Sequence, residues 1–112
     1  MTRLTSRLWI DSLIRAVQAE GGFAMILAKG YEHGGGILVQ CCDRGVAGPL
    51  FERRYQMDGD SLWDPVGPAP ESSAEERQKY LERRRQIDPD LWIIELDIAN
   101  SEQFIARWAA IS

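Results

Sequence analysis

The sequence has little of what metal binding and covalent catalysis usually require. Its 112 residues include two cysteines and one histidine, His33. Cys41 and Cys42 are adjacent, and successive side chains of a strand point to opposite faces, so we expect no disulfide between them. Their spacing from His33 matches no zinc pattern. We therefore predict reduced, core-packed thiols, no metal site and no cofactor.

Long apolar runs and a surplus of positive charge are also absent. No stretch of about 18 apolar residues occurs, so we expect no membrane span. Charges such as Arg3, Arg7 and Asp11 interrupt the N-terminal segment, which a signal peptide does not show. The formal net charge of -4 argues against binding nucleic acid over the whole surface. These absences predict a cytoplasmic protein.

What is present is the composition of a globular domain. The chain is 45% hydrophobic and 27% charged. A chain of this length buries roughly two-thirds of its unfolded surface, so it folds without metals or disulfides. We therefore predict one domain spanning residues 1–112.

Hydrophobic periodicity divides the chain into seven elements. Helices are predicted over residues 6–20, 73–87 and 100–112, and strands over 23–29, 37–43, 49–56 and 91–97. The intervening segment 57–72 carries three prolines and two glycines and is predicted to be a loop.

This order of elements predicts an α+β fold with a mixed four-stranded sheet. The first three strands read as an antiparallel meander whose first two members are buried. The fourth follows a helix that doubles back over the sheet, so we expect it to run parallel to the third strand and to the first. Apolar residues on both of its faces indicate cover on both sides or an interior position.

The second predicted helix holds three consecutive arginines, Arg83–Arg85. A helical wheel places Arg77 and Arg84 toward the protein, on the side of Tyr80. Two guanidinium groups one heptad apart are suited to a phosphate or carboxylate ligand. The candidate ligand-binding residues are Arg77, Arg84, Arg53 and Tyr80.

A structural interpretation competes with this ligand site and is favoured. In it the arginine stems cover apolar surface and the charged heads pair with acids such as Glu52, Glu95 or Asp97. Arg83 and Arg85 are expected in solvent. Together with Lys79, and with Arg53 and Arg54 of the third strand, they would make a basic patch. Only Tyr55 and Tyr80 lie near this patch for base stacking, so nucleic-acid binding is not favoured.

Other motifs point to no reaction. The glycine-rich segment GYEHGGG, residues 30–36, lacks the Gly-Lys-Ser/Thr ending of a phosphate loop and joins two strands, so we predict a flexible hairpin. No Gly-x-Ser-x-Gly elbow occurs, and the acidic residues of DGDSLWD lack the remaining positions of a calcium loop. We therefore predict no catalytic residues.

The position of one tryptophan suggests a binding function. One of the four tryptophans, Trp63, lies in the predicted proline-rich loop, where burial is least assured, and tryptophan is favoured at interfaces. The leading hypothesis is a non-catalytic binding or adaptor protein that acts through a protein partner or a homodimer. The rival is an anion-binding protein or enzyme centred on Arg77 and Arg84.

Two stretches resemble a known family. LTSRLWIDSLIRAVQAEGGFA and YLERRRQIDPDLWIIELD are similar to the bacterial family called domain of unknown function 1491, found mainly in alphaproteobacteria. The resemblance extends over nearly the whole chain. It implies a small single-domain bacterial protein and carries no assigned activity.

Overall fold

Eight elements form the fold in the computed structural model, which describes residues 5–55 and 61–111. In chain order they are α1 (Ser6–Ala19), β1 (Phe23–Ala28), β2 (Ile37–Asp43), β3 (Val46–Tyr55), β4 (Ser61–Val66), α2 (Ala74–Ile87), β5 (Trp92–Asp97) and α3 (Ser101–Ile111). The described strands make one mixed sheet in the order β1-β5-β2-β3-β4. The predicted α+β class is confirmed. None of the described helices is both long and apolar enough to cross a membrane.

The predicted loop over 57–72 is wrong in its centre, because β4 lies there and pairs antiparallel with β3. Residues 57–60 lie outside the described ranges. The sheet therefore has five described strands where four were predicted. Pro65 belongs to β4, which is the last strand of the sheet. A proline is tolerated there because one side of an edge strand has no hydrogen bonds to make.

The predicted meander is also wrong, because β5 lies between β1 and β2. It pairs parallel with β2 and antiparallel with β1, whereas we expected it parallel to the first and third strands. The additional strand explains the reversal. Strand β4 runs opposite to β3, and the crossover through α2 returns the chain in the direction of β4, which is also that of β2.

The connection from β1 to β2 passes the start of β5, and this close passage requires glycine. A Cβ on Gly30 or Gly35 would lie 2.1 or 1.9 Å from the carbonyl oxygen of Asp90. The backbone N–H of Tyr31 donates to that same oxygen, and the indole of Trp92 donates to the carbonyl of Tyr31. The predicted hairpin is therefore a connection held against β5.

Helices α1 and α3 cover one face of the sheet, which we call the α1/α3 face. The side chain of Thr5 caps α1 by accepting the backbone N–H of Leu8. Each large apolar side chain buried here contributes roughly 1.5–3 kcal/mol, so this cluster supplies most of the hydrophobic stabilisation. Its buried members are Trp9, Ile10, Leu13, Val17, Ile37, Val39, Cys41, Trp92, Ile94, Leu96, Ile98, Phe104 and Ile105.

Within residues 5–55 and 61–111, helix α2 alone covers the opposite face, which we call the α2 face. The buried cluster there has only Leu38, Leu91 and Ile93, with Tyr80 and Leu81 of α2 packed against it. The structure describes α2 throughout, and none of its residues is buried. Strand β5 is thus covered on both faces, as predicted, but the cover on the α2 face is thin.

A bulge accommodates Pro49 inside β3. The register with β2 shifts between Gln40 and Cys42, so that Gly48 and Pro49 together face Cys41. The buried side chain of Gln40 donates from Nε2 to the carbonyl oxygens of Cys41 and Gly48, at 2.8 Å each. One buried amide therefore satisfies two carbonyl groups at the irregularity.

Candidate functional site

The inward-facing arginine Arg84 is held by an acid. Its Nη2 lies 2.8 Å from Oε2 of Glu52 and its Nη1 lies 3.2 Å from Oε1. Nη1 also donates to the hydroxyl of Tyr80 at 2.9 Å. The hydrogen bond to Glu52 raises the pKa of Arg84, which therefore stays charged. The structural interpretation predicted pairing with an acid such as Glu52, Glu95 or Asp97, and Arg84 pairs with Glu52.

Arg77 points to a different set of acceptors. Its Nη1 donates to the carbonyl oxygens of Ser72 and Pro70, in the connection that precedes α2. The wheel correctly placed Arg77 and Arg84 on the half-buried side of the helix, yet their guanidinium groups bind separate partners. Ligand binding by this pair stays a prediction.

Arg53 lies on the other face of the sheet. It is 9% exposed, and its guanidinium carbon lies 4.6 Å from the ring centroid of Trp9. The rings of Trp63 and Trp108 lie 5.4 and 6.1 Å from that of Trp9. Because neighbouring residues of a strand point to opposite faces, the sheet separates Arg53 from Glu52 and from the arginine bound to it. The four candidate ligand residues are therefore not brought together.

Trp63, the predicted partner anchor, belongs to β4 and packs against the core cluster of the α1/α3 face. Its indole Nε1 is buried and has no hydrogen-bond partner among the described residues. The ring therefore offers less free surface than a loop tryptophan would. A partner contact at Trp63 stays a prediction.

Arg85 does not lie in solvent, contrary to the prediction. Its Nη1 donates to the carbonyl oxygens of Lys29, Pro89 and Leu91 at 3.1, 2.9 and 2.8 Å. One guanidinium thus ties the end of α2 to the segments that precede β2 and β5. Arg53 is buried on the other face of the sheet, so it does not share a surface with Arg85.

The two cysteines point to opposite faces, as predicted, and both are buried and unbridged. Burial raises the pKa of Cys41 to about 12. Burial, and then the negative charge of Glu95, raises the pKa of Cys42 to about 11. Both thiols are therefore protonated at neutral pH and are poor nucleophiles. Among the described residues, no three or more His, Cys, Asp or Glu side chains are placed to hold a metal ion.

Three exposed apolar side chains lie along β1. Phe23, Met25 and Leu27 are 77%, 57% and 46% exposed. The alternate residues Ala24 and Ile26 pack against the core of the α1/α3 face. The prediction that the first strand is buried is therefore wrong for its other face. The apolar composition of the strand indicated burial, but α2 does not extend over these side chains.

A groove of about 510 Å³ lies between β1 and α2. The sheet contributes apolar side chains to it and α2 contributes mostly polar ones. Its lining consists of Leu27, Ala28, Gln78, Leu81, Glu82, Arg85, Gln86 and Ile93. We call this groove, together with Phe23, Met25 and Leu27, the β1 surface.

Strand β1 is also an edge of the sheet, so one side of its backbone has no partner strand among the described residues. Its sequence FAMILA contains neither a charge nor a proline. The opposite edge strand, β4, contains Asp64 and Pro65, residue types that hinder the addition of another strand. A register shift after Ile26 leaves Phe23–Ile26 as the regular part of β1. Of the two edge strands, β1 is therefore the apolar one and the one better suited to pairing with another strand.

Three solved structures of bacterial proteins are similar to this chain in sequence and in fold. The crystal structure of a DUF1491 family protein from Caulobacter crescentus CB15 is 31% identical over 85% of this chain and 88% of that chain, with a TM-score of 0.74. An NMR structure of a DUF1491 family protein from the same strain is 32% identical over 90% and 91%, also with a TM-score of 0.74. The solution structure of protein Atu0922 from A. tumefaciens is 30% identical over 88% and 89%, with a TM-score of 0.70.

No curated protein matches the chain. Residues 4–106 match the family described as "Protein of unknown function (DUF1491)". Because this match spans most of the sequence and the relatives share the fold, the chain belongs to the DUF1491 family.

Proposed function

We propose that the chain is a non-catalytic, cytoplasmic protein-binding module whose binding site is the β1 surface. The observation that carries the proposal is the exposure of Phe23 and Met25, 77% and 57%, beside a groove whose sheet side is apolar. Contiguous exposed apolar patches on soluble domains mark interaction sites more often than chance. The absence of charge from β1 is typical of the centre of an interface.

The geometry supports binding by strand addition. An extended segment that pairs with a free sheet edge gains backbone hydrogen bonds, and its alternate side chains contact the surface beside that edge. Here the edge is β1, and the groove beside it is lined by Leu27, Leu81 and Ile93. Backbone pairing would supply affinity, and the groove would select apolar side chains.

The state of the reactive side chains supports binding over chemistry. Arg84 is paired with Glu52, and the raised pKa values of Cys41 and Cys42 keep both thiols protonated. Buried, unbridged thiols also support a reducing compartment such as the cytoplasm.

Photo-cross-linking in cells that make the protein tests the proposal. A photoreactive amino acid replaces Phe23, and in the control it replaces Val46, which is 70% exposed but lies on β3. We expect adducts of defined mass from position 23 and none from position 46. The same adducts from both positions, or none from position 23, would contradict the proposed binding site.

A further inference from the structure

We infer that the partner of the β1 surface is a second copy of this chain, joined by antiparallel pairing of the two β1 strands. The inference rests on the proposed function and names its partner. The two sheets would become one continuous sheet, which removes the open edge of both copies.

Two-fold symmetry restricts the register of this pairing. A two-fold axis perpendicular to the sheet makes the two strands antiparallel and keeps both α2 faces on the same side. A residue on the axis then faces itself. We place Met25, which lies in the regular part of β1, on the axis, so that Ala24 faces Ile26 of the second copy. Phe23 then lies near Leu27, which follows the register shift. The exposed apolar side chains of β1 therefore lie beside apolar side chains of the second copy.

The distribution of charge permits the same arrangement. Residues 21–28 contain no charged side chain, and Glu20 and Lys29 flank this segment at its two ends. Glu20 ends α1, where it pairs with Arg107, and Lys29 pairs with Glu32. The pairing segment itself is therefore uncharged, and two copies of it bring no like charges together across the strands.

The available area fits a reversible dimer. With roughly 200 Å² for a full aromatic side chain and roughly 100 Å² for a methionine or leucine, the exposures of Phe23, Met25 and Leu27 amount to roughly 250 Å² per copy. Stable interfaces bury about 1,200–2,000 Å² in total, and the apolar area of two copies together lies well below this range. We therefore expect a weak dimer that dissociates on dilution.

Sedimentation over a range of concentrations tests the dimer. The wild-type mass should rise from 12.7 kDa toward twice that value. Met25→Lys places two like charges together on the axis and should weaken association at least tenfold. Val46→Lys adds the same charge at a comparably exposed site away from β1 and should behave as the wild type. Circular dichroism checks that both variants are folded.

Met25→Cys tests the register without weakening the surface by charge. Facing residues of antiparallel strands have Cα atoms about 4.5–5.5 Å apart, within the range of about 4.4–6.8 Å that a disulfide spans. Mild oxidation should therefore give a covalent dimer of Met25→Cys and none of Val46→Cys. The native Cys41 and Cys42 are buried and should not contribute.

The outcomes separate the inference from the proposed function. A wild type that stays monomeric at all concentrations, with no disulfide in Met25→Cys, overturns the second copy as partner. If position 23 then cross-links to a different protein in cells, the β1 surface is still a binding site and only its partner was wrong. If position 23 gives no adduct either, both statements fail.

Discussion

The ion pair between Arg84 and Glu52 should stabilise the fold more than an exposed pair does. Exposed pairs contribute about 0.2–1 kcal/mol, and hydrogen bonds to charged groups contribute about 1.5–3 kcal/mol. The two side chains are 24% and 19% exposed and share two hydrogen bonds. We therefore expect a coupling energy between these ranges, about 1–2 kcal/mol.

A double-mutant cycle measures this coupling. Arg84→Met keeps most of the stem that packs on the sheet, and Glu52→Gln keeps the shape of the carboxylate. Each single change should cost about 2 kcal/mol in urea unfolding, because it removes one charge of a pair that is largely shielded from solvent. The double change should cost less than the sum of the two.

The control for the cycle is the exposed pair of Lys79 and Glu75 on the same helix. Their side chains are 68% and 78% exposed, so Lys79→Met with Glu75→Gln should give a coupling of only about 0.3–0.5 kcal/mol. A coupling at Arg84 and Glu52 no larger than this control would refute the argument from burial and geometry.

The same Arg84 variant tests the rival ligand site. If Arg77 and Arg84 bind an anion, removing one cation relieves repulsion, so thermal stability holds or rises. Phosphate-bearing ligands would then stabilise the wild type and not Arg84→Met. Melting curves with nucleotides and organic acids measure this effect. A stable variant together with ligand-dependent stabilisation of the wild type alone would replace the structural interpretation.

Two further predictions concern the backbone crossing and the thiols. Gly35→Ala should cost at least about 2 kcal/mol in urea unfolding, because the new Cβ would lie 1.9 Å from the carbonyl oxygen of Asp90, whereas Gly34→Ala meets nothing within 4 Å. An equal effect of the two changes would contradict the crowding argument. Burial raises the pKa of Cys41 and Cys42 from 9.0 to about 12 and about 11, so their contribution to stability is complete below pH 9 and is lost as pH rises toward these values. Unfolding at pH 8 and pH 10 should show the decline, and rapid alkylation of the native protein at pH 8 would speak against it.

The sequence predicted the helices well because their signals are local. The predicted spans 6–20 and 73–87 agree with α1 and α2 to within one residue at each end. Capping side chains and an amphipathic stripe define α1, and both lie within the helix or next to it. Such signals do not depend on the rest of the fold.

The order of the strands could not be predicted in this way. Apolar residues on both faces of 91–97 indicated an interior strand, but not which two neighbours it has. Prolines in 57–72 indicated a loop, although an edge strand tolerates them. Missing that one strand reversed the predicted direction of β5.

The contacts of the arginines also divide into those that local sequence signals predict and those that depend on the whole fold. Glu52 was among the acids expected to pair with Arg84, because the helical wheel placed this arginine toward the protein. The partners of Arg85 are backbone carbonyls of Lys29, Pro89 and Leu91, which approach one another only in the folded chain. The pattern of side chains in a sequence does not predict which backbone carbonyl groups will accept hydrogen bonds from an arginine.

The uncovered part of β1 follows from the layers of the fold. Strands lie about 4.8 Å apart, so β1 and β3 are separated by roughly 14 Å, more than the diameter of about 10–12 Å that one helix covers. Two helices cover the α1/α3 face, but only α2 covers the other, and Arg84 holds it to β3 through Glu52. The side of β1 that faces away from α1 is therefore left open by the architecture. Polar replacement of Met25, which is 57% exposed, should consequently leave the free energy of unfolding of the monomer almost unchanged. The same replacement should weaken binding of the partner at the β1 surface. That combination distinguishes a binding residue from a core residue, for which stability would fall as well.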